Sequence, residues 1–189
     1  MSFLQNGTRF PAISAPKLGG GTLSLPDDLA GFFGVVLFYR GFWCPYCNAQ
    51  LSGFERAKER LANVGVKVVA LSVDDEVRTR DLIAKHKISF PIGYGADARA
   101  IAAATGAYLN EDPLYLQSTS FVLAPDGTVV NAVYSSSAIG RLVAEDVVGL
   151  VSYIKSKAQE ESLLSIREGR TRVSGGRISE RRLWREWGN

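Results

Sequence analysis

Short apolar runs alternate along the chain with longer segments in which apolar residues recur at helical spacing. Residues 35–39 are apolar on both faces and rich in branched and aromatic side chains, which is typical of a central strand covered by helices on each side, and residues 66–73 predict a second strand. A third run at 120–123 is followed by a Pro-Asp-Gly turn at 125–127 and a fourth run at 128–133, which together predict a hairpin. We expect the hairpin to supply the antiparallel edge strands of a mixed sheet of about five strands.

Apolar residues three and four positions apart predict helices between and after these strands. The predicted helices run from Pro45 to Gly65 and then cover 76–86, 96–104 and 142–158. Shorter extended pieces are expected at 22–25, in a hairpin-like element, and at 90–92, whereas residues 106–117 are expected to form a loop. This order of elements predicts an α/β domain with a central mixed β-sheet flanked by helices on both faces.

The predicted domain occupies residues 1–158 of the 189-residue chain. Residues 159–189 form a basic extension with seven arginines against five glutamates, and we expect it to pack on the domain or on a second subunit of a homodimer. The first residues lack the basic and apolar stretches of a secretory signal, so we expect a cytoplasmic protein without a membrane segment. The formal charge of +3 does not by itself indicate binding to nucleic acid.

The candidate chemistry lies in the two cysteines, Cys44 and Cys47, which are separated by two residues. Such a pair cannot form the multi-bridge framework that staples small secreted domains. It supplies two zinc ligands, but the chain has no further cysteine and its only histidine is His86, so the sequence argues against a four-ligand zinc site. We therefore expect a redox role for the pair, with no metal and no other cofactor.

The position of the pair predicts different roles for the two sulfurs. Pro45 is favoured as the first residue of a helix, which places Cys44 at the N-cap. A thiolate there accepts backbone N–H bonds at the positive end of the helix dipole, so its pKa is expected to fall and Cys44 becomes a nucleophile. Cys47 lies one turn deeper on the apolar stripe, where it is placed to close a disulfide with Cys44. Arg40 is expected to add positive potential, and Trp43 to wall one side.

The segment 36–51, VLFYRGFWCPYCNAQL, resembles the active-site strand and helix of the alkyl hydroperoxide reductase / thiol-specific antioxidant family, in particular its peroxiredoxin-like members. The similarity extends more weakly over residues 8–157. It implies a thioredoxin-like fold and the reduction of peroxides or disulfides by cysteine. It also implies recycling by an external thiol such as thioredoxin or glutathione, with Pro45 and Tyr46 lining the site.

The sequence departs from the family pattern at specific positions. Where peroxiredoxins have Pro, Thr and Cys in the pattern P-x-x-x-T-x-x-C, this chain has Arg40, Cys44 and Cys47. The arginine that precedes the next-to-last strand in those enzymes corresponds to Ser118. The proline that faces the dithiol in thioredoxin is also replaced, near Ser118 and Thr119, so we expect these two residues to line the site.

Two assignments of the attacking sulfur remain open. Attack by Cys44 gives thioredoxin-like dithiol exchange, whereas attack by Cys47 gives the geometry of a peroxiredoxin with Cys44 as the resolving partner; the expected burial of Cys47 favours Cys44. The leading hypothesis is a thiol-dependent antioxidant enzyme that reduces peroxides, disulfides or both. The alternatives are a protein disulfide reductase without significant peroxidase activity, and a redox-sensing interaction protein that uses the C-terminal extension.

Overall fold

The structure is a computed structural model that describes residues 2–167. Its strands are β1 (Ile13–Pro16), β2 (Thr22–Leu25), β3 (Phe33–Phe38), β4 (Val66–Leu71), β5 (Ile92–Gly93), β6 (Leu109–Glu111), β7 (Leu114–Leu116), β8 (Thr119–Leu123) and β9 (Val129–Tyr134). Its helices are α1 (Pro45–Arg56), α2 (Lys58–Asn63), α3 (Glu76–His86), α4 (Ala98–Thr105) and α5 (Ala144–Arg167), with a short 3-10 turn at Asp27–Leu29.

The central sheet has five strands in the order β5-β4-β3-β8-β9. Strand β3 pairs in parallel with β4 and antiparallel with β8, so the sheet is mixed. The prediction that both strands of the second hairpin are edge strands is wrong for β8, because β8 lies between β3 and β9 and only β9 is at the edge. Successive side chains of β3 point to opposite faces. Val35 and Leu37 pack with residues of α1, α3 and α5, whereas Val36 and Phe38 pack with residues of β1, β2 and α4. Both faces of the sheet are covered, and the predicted α/β fold class is confirmed.

The predicted helix from Pro45 to Gly65 is instead two helices, α1 and α2, which meet at Ala57. The backbone N–H of Ala57 is shared between the carbonyls of Gly53 and Phe54, which tightens the turn and breaks the regular helix. The apolar stripe continues across the break, because Phe54 and Leu61 are both buried in the same core. Apolar spacing therefore did not reveal the interruption.

Three other predictions are corrected. Residues 106–117 are not a plain loop, since β6 and β7 pair there as a hairpin with Leu109 opposite Leu116. The first hairpin begins earlier than the predicted strand, because β1 pairs with β2. Helix α5 continues to Arg167, beyond the predicted end at 158.

Most of the predicted C-terminal extension, residues 168–189, lies outside the described residues. Within residues 2–167, no helix is both long and apolar enough to span a bilayer.

Candidate active site

The two cysteines lie at the start of α1, shortly after the end of β3, at one end of the central sheet. Cys44 is the N-cap of α1 with an extended backbone, and its Sγ accepts the N–H of Cys47 at 3.4 Å. Pro45 is the first helical residue, where its missing N–H leaves no donor unsatisfied. This local geometry is as the sequence predicts. Both cysteines are free thiols in this structure.

Cys47 is enclosed by the core and by the backbone of the preceding turn. It lies on the buried stripe of α1 with Leu51 and Phe54, and its Sγ accepts the backbone N–H of Arg40 at 3.4 Å. Burial, reinforced by its hydrogen bond with Cys44, raises the pKa of Cys47 to about 11. Cys47 is therefore a protonated thiol at neutral pH.

Arg141 completes the site, and sequence reasoning missed it. Its Nη2 lies 3.4 Å from the Sγ of Cys47 and 3.8 Å from the Sγ of Cys44. The residue belongs to the segment between β9 and α5, 97 positions away from Cys44. No local pattern near the cysteines indicates this contact, and only the folded chain brings the guanidinium to the sulfurs.

The surroundings separate the acidities of the two thiols. Burial alone would raise the pKa of Cys44, but the hydrogen bonds from the side chain and backbone of Cys47 and the charge of Arg141 outweigh it, so this pKa is lowered. The hydrogen bond between the two thiols thus lowers the pKa of Cys44 and raises that of Cys47. The site thus pairs a thiolate-forming sulfur at the helix start with a protonated sulfur one turn deeper.

Neither sulfur is exposed in the reduced state. Cys44 and Cys47 are each 0% exposed, although they lie beside exposed aromatic side chains: Phe42 at 39%, Trp43 at 46% and Tyr46 at 51%. The aromatic side chains next to the thiols in the chain are therefore exposed, whereas both sulfurs are buried.

The backbone N–H of Arg40 bonds to the sulfur of Cys47, whereas its side chain contacts another element. Its guanidinium points to the hairpin β6-β7, where Nη2 donates to the hydroxyl of Tyr115 at 2.9 Å. The guanidinium also lies 4.9 Å from the ring centroid of Trp43 and 5.2 Å from that of Tyr115. Burial lowers the pKa of Arg40, but the Tyr115 hydroxyl and the two cysteines raise it more strongly, so its charge does interact with both thiols. The sequence did not indicate Tyr115.

The turn before Cys44 is held by a buried carboxylate, which sequence reasoning also missed. Oδ2 of Asp74 accepts the backbone N–H of Phe42 at 2.8 Å and the hydroxyl of Ser72 at 2.9 Å. Burial raises the pKa of Asp74 above its usual range despite these bonds. Gly41 has φ 154°, and a Cβ added there would lie 2.5 Å from Nε1 of Trp43. The turn therefore requires glycine at this position.

Ser118 and Thr119 lie at the same end of the sheet as the cysteines, since Thr119 pairs with Phe38, the last residue of β3. Both residues are buried. Thr119 Oγ1 donates to the carbonyl of Gln117, and Ser118 Oγ has no hydrogen-bond partner among the described residues. Neither side chain forms a hydrogen bond with a sulfur within the described part of the chain. The residues described also contain no group of three or more metal-ligating side chains.

Solved structures resemble this fold. A peroxiredoxin 6 of Arenicola marina superposes with a TM-score of 0.70 at 19% identity, covering 82% of this chain and 76% of that one. AhpC of Mycobacterium tuberculosis gives a TM-score of 0.68 at 19% identity, covering 82% of this chain and 96% of that one. These likenesses support the predicted thioredoxin-like fold.

Sequence relatives include two kinds of thiol enzyme. The thiol-disulfide oxidoreductase ResA of Bacillus cereus is 27% identical over 152 residues, covering 80% of this chain and 79% of the relative. Alkyl hydroperoxide reductase C of Staphylococcus haemolyticus is 29% identical over 136 residues, covering 69% and 68%. The model of the AhpC/TSA family matches residues 6–132, well over half of the chain. The protein therefore belongs to the AhpC/TSA family, as the segment around Cys44 and Cys47 indicated.

Proposed function

We propose that this protein is a thiol-dependent antioxidant oxidoreductase that reduces peroxides through a dithiol/disulfide cycle, with Cys44 as the attacking sulfur and Cys47 as the resolving one. The observation that carries the proposal is the contact of Arg141 with both sulfurs, combined with a lowered pKa at Cys44 and a raised one at Cys47. The thiolate is the reactive form of cysteine, so the acidity difference selects Cys44.

The reaction proceeds in two balanced steps. The Cys44 thiolate attacks one oxygen of the peroxide, the O–O bond breaks, and the departing hydroxide or alkoxide takes up a proton to leave as water or an alcohol. Cys44 is then a sulfenic acid. The Cys47 thiol attacks this sulfur, its proton leaves with the hydroxyl group as water, and the disulfide between Cys44 and Cys47 forms. Two electrons pass from the thiols to the peroxide.

Arg141 supports peroxide chemistry because it supplies a guanidinium to the site. The arginine that other family members have before the next-to-last strand is replaced by Ser118 in this chain. A positive group beside the thiolate also stabilises the negative charge that develops on the departing oxygen. In the reduced state this guanidinium lies against both sulfurs, and neither is exposed. Because Nη2 of Arg141 lies 3.8 Å from the Cys44 sulfur, a peroxide that reaches this sulfur also comes close to the guanidinium.

A protein disulfide reductase is the second candidate, and the N-cap geometry of the Cys-x-x-Cys pair favours it. Attack of the Cys44 thiolate on an external disulfide forms a mixed disulfide, which Cys47 releases by closing the internal bridge. The same two sulfurs serve both reactions. The similarity to ResA adds support to this alternative.

Turnover requires two external thiol groups, because the cycle leaves Cys44 and Cys47 in one disulfide, whose reduction takes two electrons. We propose an external reductant of the thioredoxin or glutathione type, acting in a reducing compartment such as the cytoplasm. The exposed side chains of Phe42, Trp43 and Tyr46 offer an apolar surface for such a partner. We also propose that the protein forms a homodimer and that its C-terminal extension has a redox-sensing role.

Stopped-flow oxidation of the reduced protein by hydrogen peroxide tests the assignment. We expect the wild type to react much faster than free cysteine and to end as an internal disulfide. Cys47→Ser should react at a similar rate but stop as a sulfenic acid that dimedone traps, whereas Cys44→Ser should react slowly.

The reverse pattern, with Cys44→Ser fast and Cys47→Ser slow, would move the attack to Cys47. Rates like that of free cysteine in all three proteins would exclude the peroxidase, and reduction of an aromatic disulfide by the wild type would then identify the disulfide reductase.

A further inference from the structure

Arg40 is held at two points, one on its backbone and one on its side chain. Its backbone N–H donates to the Sγ of Cys47 at 3.4 Å. Its guanidinium lies against two aromatic rings, 4.9 Å from the centroid of Trp43 and 5.2 Å from that of Tyr115. The residue that bonds to the deeper sulfur is therefore also the centre of an aromatic cluster.

Tyr115 connects this cluster to a different part of the fold. Its hydroxyl accepts a hydrogen bond from Nη2 of Arg40 at 2.9 Å, and its ring meets that of Trp43 edge-on, with the centroids 5.2 Å apart. Tyr115 is buried on strand β7, beside Leu116 in the core. One side chain thus contacts both Arg40 and Trp43, which lie at the two ends of the turn before Cys44.

The hairpin that carries Tyr115 is itself fastened to the domain. The backbone N–H of Gln117 donates to the carbonyl of Tyr108 at 2.7 Å, which closes the hairpin at its base. Glu111 of β6 pairs with Arg99 of α4 at 2.6 Å. Because the hairpin is anchored at these points, Tyr115 offers the guanidinium of Arg40 a partner in a fixed position.

The contact of Arg40 with Cys47 matters for closing the disulfide. Cys47 has to lose its proton and attack the sulfur of Cys44, and a thiolate is stabilised by an N–H donor and by nearby positive charge. Burial raises the pKa of Cys47, and the backbone N–H of Arg40 opposes this rise. A displaced Arg40 would therefore leave Cys47 harder to ionise.

We propose that Tyr115 is a positioning residue for the closing step: it holds Arg40 so that the backbone N–H of Arg40 stays on Cys47 while the disulfide with Cys44 forms. The inference rests on the assignment of Cys47 as the resolving sulfur in the proposed function. Tyr115 acts through Arg40 and touches neither the peroxide nor the reacting sulfurs.

Dithiobis(nitrobenzoate), an aromatic disulfide whose released thiolate is coloured, separates the two chemical steps. The Cys44 thiolate attacks one sulfur of the reagent, the S–S bond breaks, and the first aromatic thiolate leaves. Cys47 then loses its proton to solvent and attacks the Cys44 sulfur of the mixed disulfide, and the second aromatic thiolate leaves as the internal disulfide forms. The first phase of release depends on reagent concentration, whereas the second does not.

Tyr115→Phe keeps the ring and removes only the hydroxyl. We expect the second phase to slow about threefold to tenfold at neutral pH, which corresponds to the net contribution of one hydrogen bond. The pH profile of this phase should shift to higher pH, because the Cys47 thiolate is less stabilised. The first phase should change less than about twofold, since the N-cap contacts of Cys44 remain.

A double-mutant cycle tests whether Tyr115 acts through Arg40. Arg40→Met should also slow the second phase, and adding Tyr115→Phe to it should cause no further slowing. Tyr134→Phe is the matched control. It removes a hydroxyl that donates to the carbonyl of Thr105 at 2.6 Å and accepts the N–H of Leu4 at 2.9 Å, and both phases should stay at the wild-type rates.

Three results would overturn the positioning role. The first is a second phase at the wild-type rate in Tyr115→Phe, the second is equal slowing by Tyr134→Phe, and the third is further slowing when Tyr115→Phe is added to Arg40→Met. If the fast release persists in Cys44→Ser rather than in Cys47→Ser, Cys47 is the attacking sulfur and the role in the closing step falls as well.

The assay contains no peroxide, so it separates this inference from the proposed function. If hydrogen peroxide oxidises the protein no faster than free cysteine, the peroxidase falls, and a selectively slowed second phase in Tyr115→Phe still supports the positioning role. If peroxide reacts fast and Tyr115→Phe leaves the second phase unchanged, the peroxidase stands and the positioning role is overturned.

Discussion

The substitution Arg141→Gln tests the electrostatic basis of the site most directly. It removes a positive charge whose Nη2 lies 3.8 Å from the Cys44 sulfur, and it keeps a side chain of related shape. Two unit charges about 4 Å apart interact by about 4 kcal/mol at an effective dielectric constant of about 20. Arg141 is partly exposed, so solvent and salt reduce this value. A loss of about 1.4 to 3 kcal/mol corresponds to about one to two pKa units.

We therefore expect the pKa of Cys44 to rise by about one to two units in Arg141→Gln. The thiolate fraction below that pKa falls about tenfold per unit, and the rate of alkylation by iodoacetamide at neutral pH falls with it. The assay is the alkylation rate of Cys44 as a function of pH, which rises through the pKa and then reaches a plateau. The plateau of the variant should equal or exceed that of the wild type, because the nucleophilicity of a thiolate rises with its pKa.

Two controls sharpen this experiment. Arg141→Lys keeps the charge and should raise the pKa of Cys44 less than glutamine does. Arg80→Gln removes an exposed arginine on α3 that pairs with Glu76, and it should leave the pKa of Cys44 unchanged. If Arg141→Gln leaves the pKa of Cys44 at the wild-type value, the guanidinium does not activate the thiolate and the reasoning fails.

Three further predictions concern the cysteines and the turn before them. Alkylation followed by mass spectrometry should label Cys44 faster than Cys47 at neutral pH; equal and slow labelling would show that neither thiol is activated. Gly41→Ala should lower the free energy of unfolding by about 1–3 kcal/mol in urea, because its Cβ meets an indole nitrogen at 2.5 Å, whereas Gly149→Ala should not destabilise the fold. Because burial raises the folded-state pKa of Asp74, its stabilising contribution is present at low pH and lost as pH rises through that pKa. The free energy of unfolding of the wild type relative to Asp74→Asn should therefore fall as pH rises above about 4, the ordinary value for an aspartate, and a difference that stays constant with pH would contradict the shift.

The local sequence was sufficient to predict those elements that are determined by neighbouring residues in the chain. Continuous apolar residues in β3 predicted a central strand, because a strand covered on both faces needs no polar positions. The pair Cys44-Pro45 predicted the N-cap of α1, because capping depends on the residue and its immediate neighbours. The buried stripe that contains Cys47 followed from helical spacing. The different surroundings of the two sulfurs were therefore predictable without coordinates.

The weaker elements were not predictable from the same patterns. The hairpin β6-β7 has strands of three residues, too short for alternation to stand out, and it is fixed by pairing between Leu109 and Leu116. The break at Ala57 leaves the apolar spacing intact, so it too left no signal. Such features are decided by tertiary contacts, which override weak local preference.

The tertiary structure alone decided which charges and side chains meet the thiols. Arg141 contacts the sulfurs although it lies 97 positions after Cys44 in the chain. Tyr115, in the unpredicted hairpin β6-β7, accepts a hydrogen bond from the guanidinium of Arg40. Residue types at single positions carry no information about such distant pairings, because only the packing of the whole sheet brings their segments together. The sequence by itself determined a thiol pair at the N-terminus of a helix, and the fold determined the positive charge and the burial that set the acidities of the two thiols.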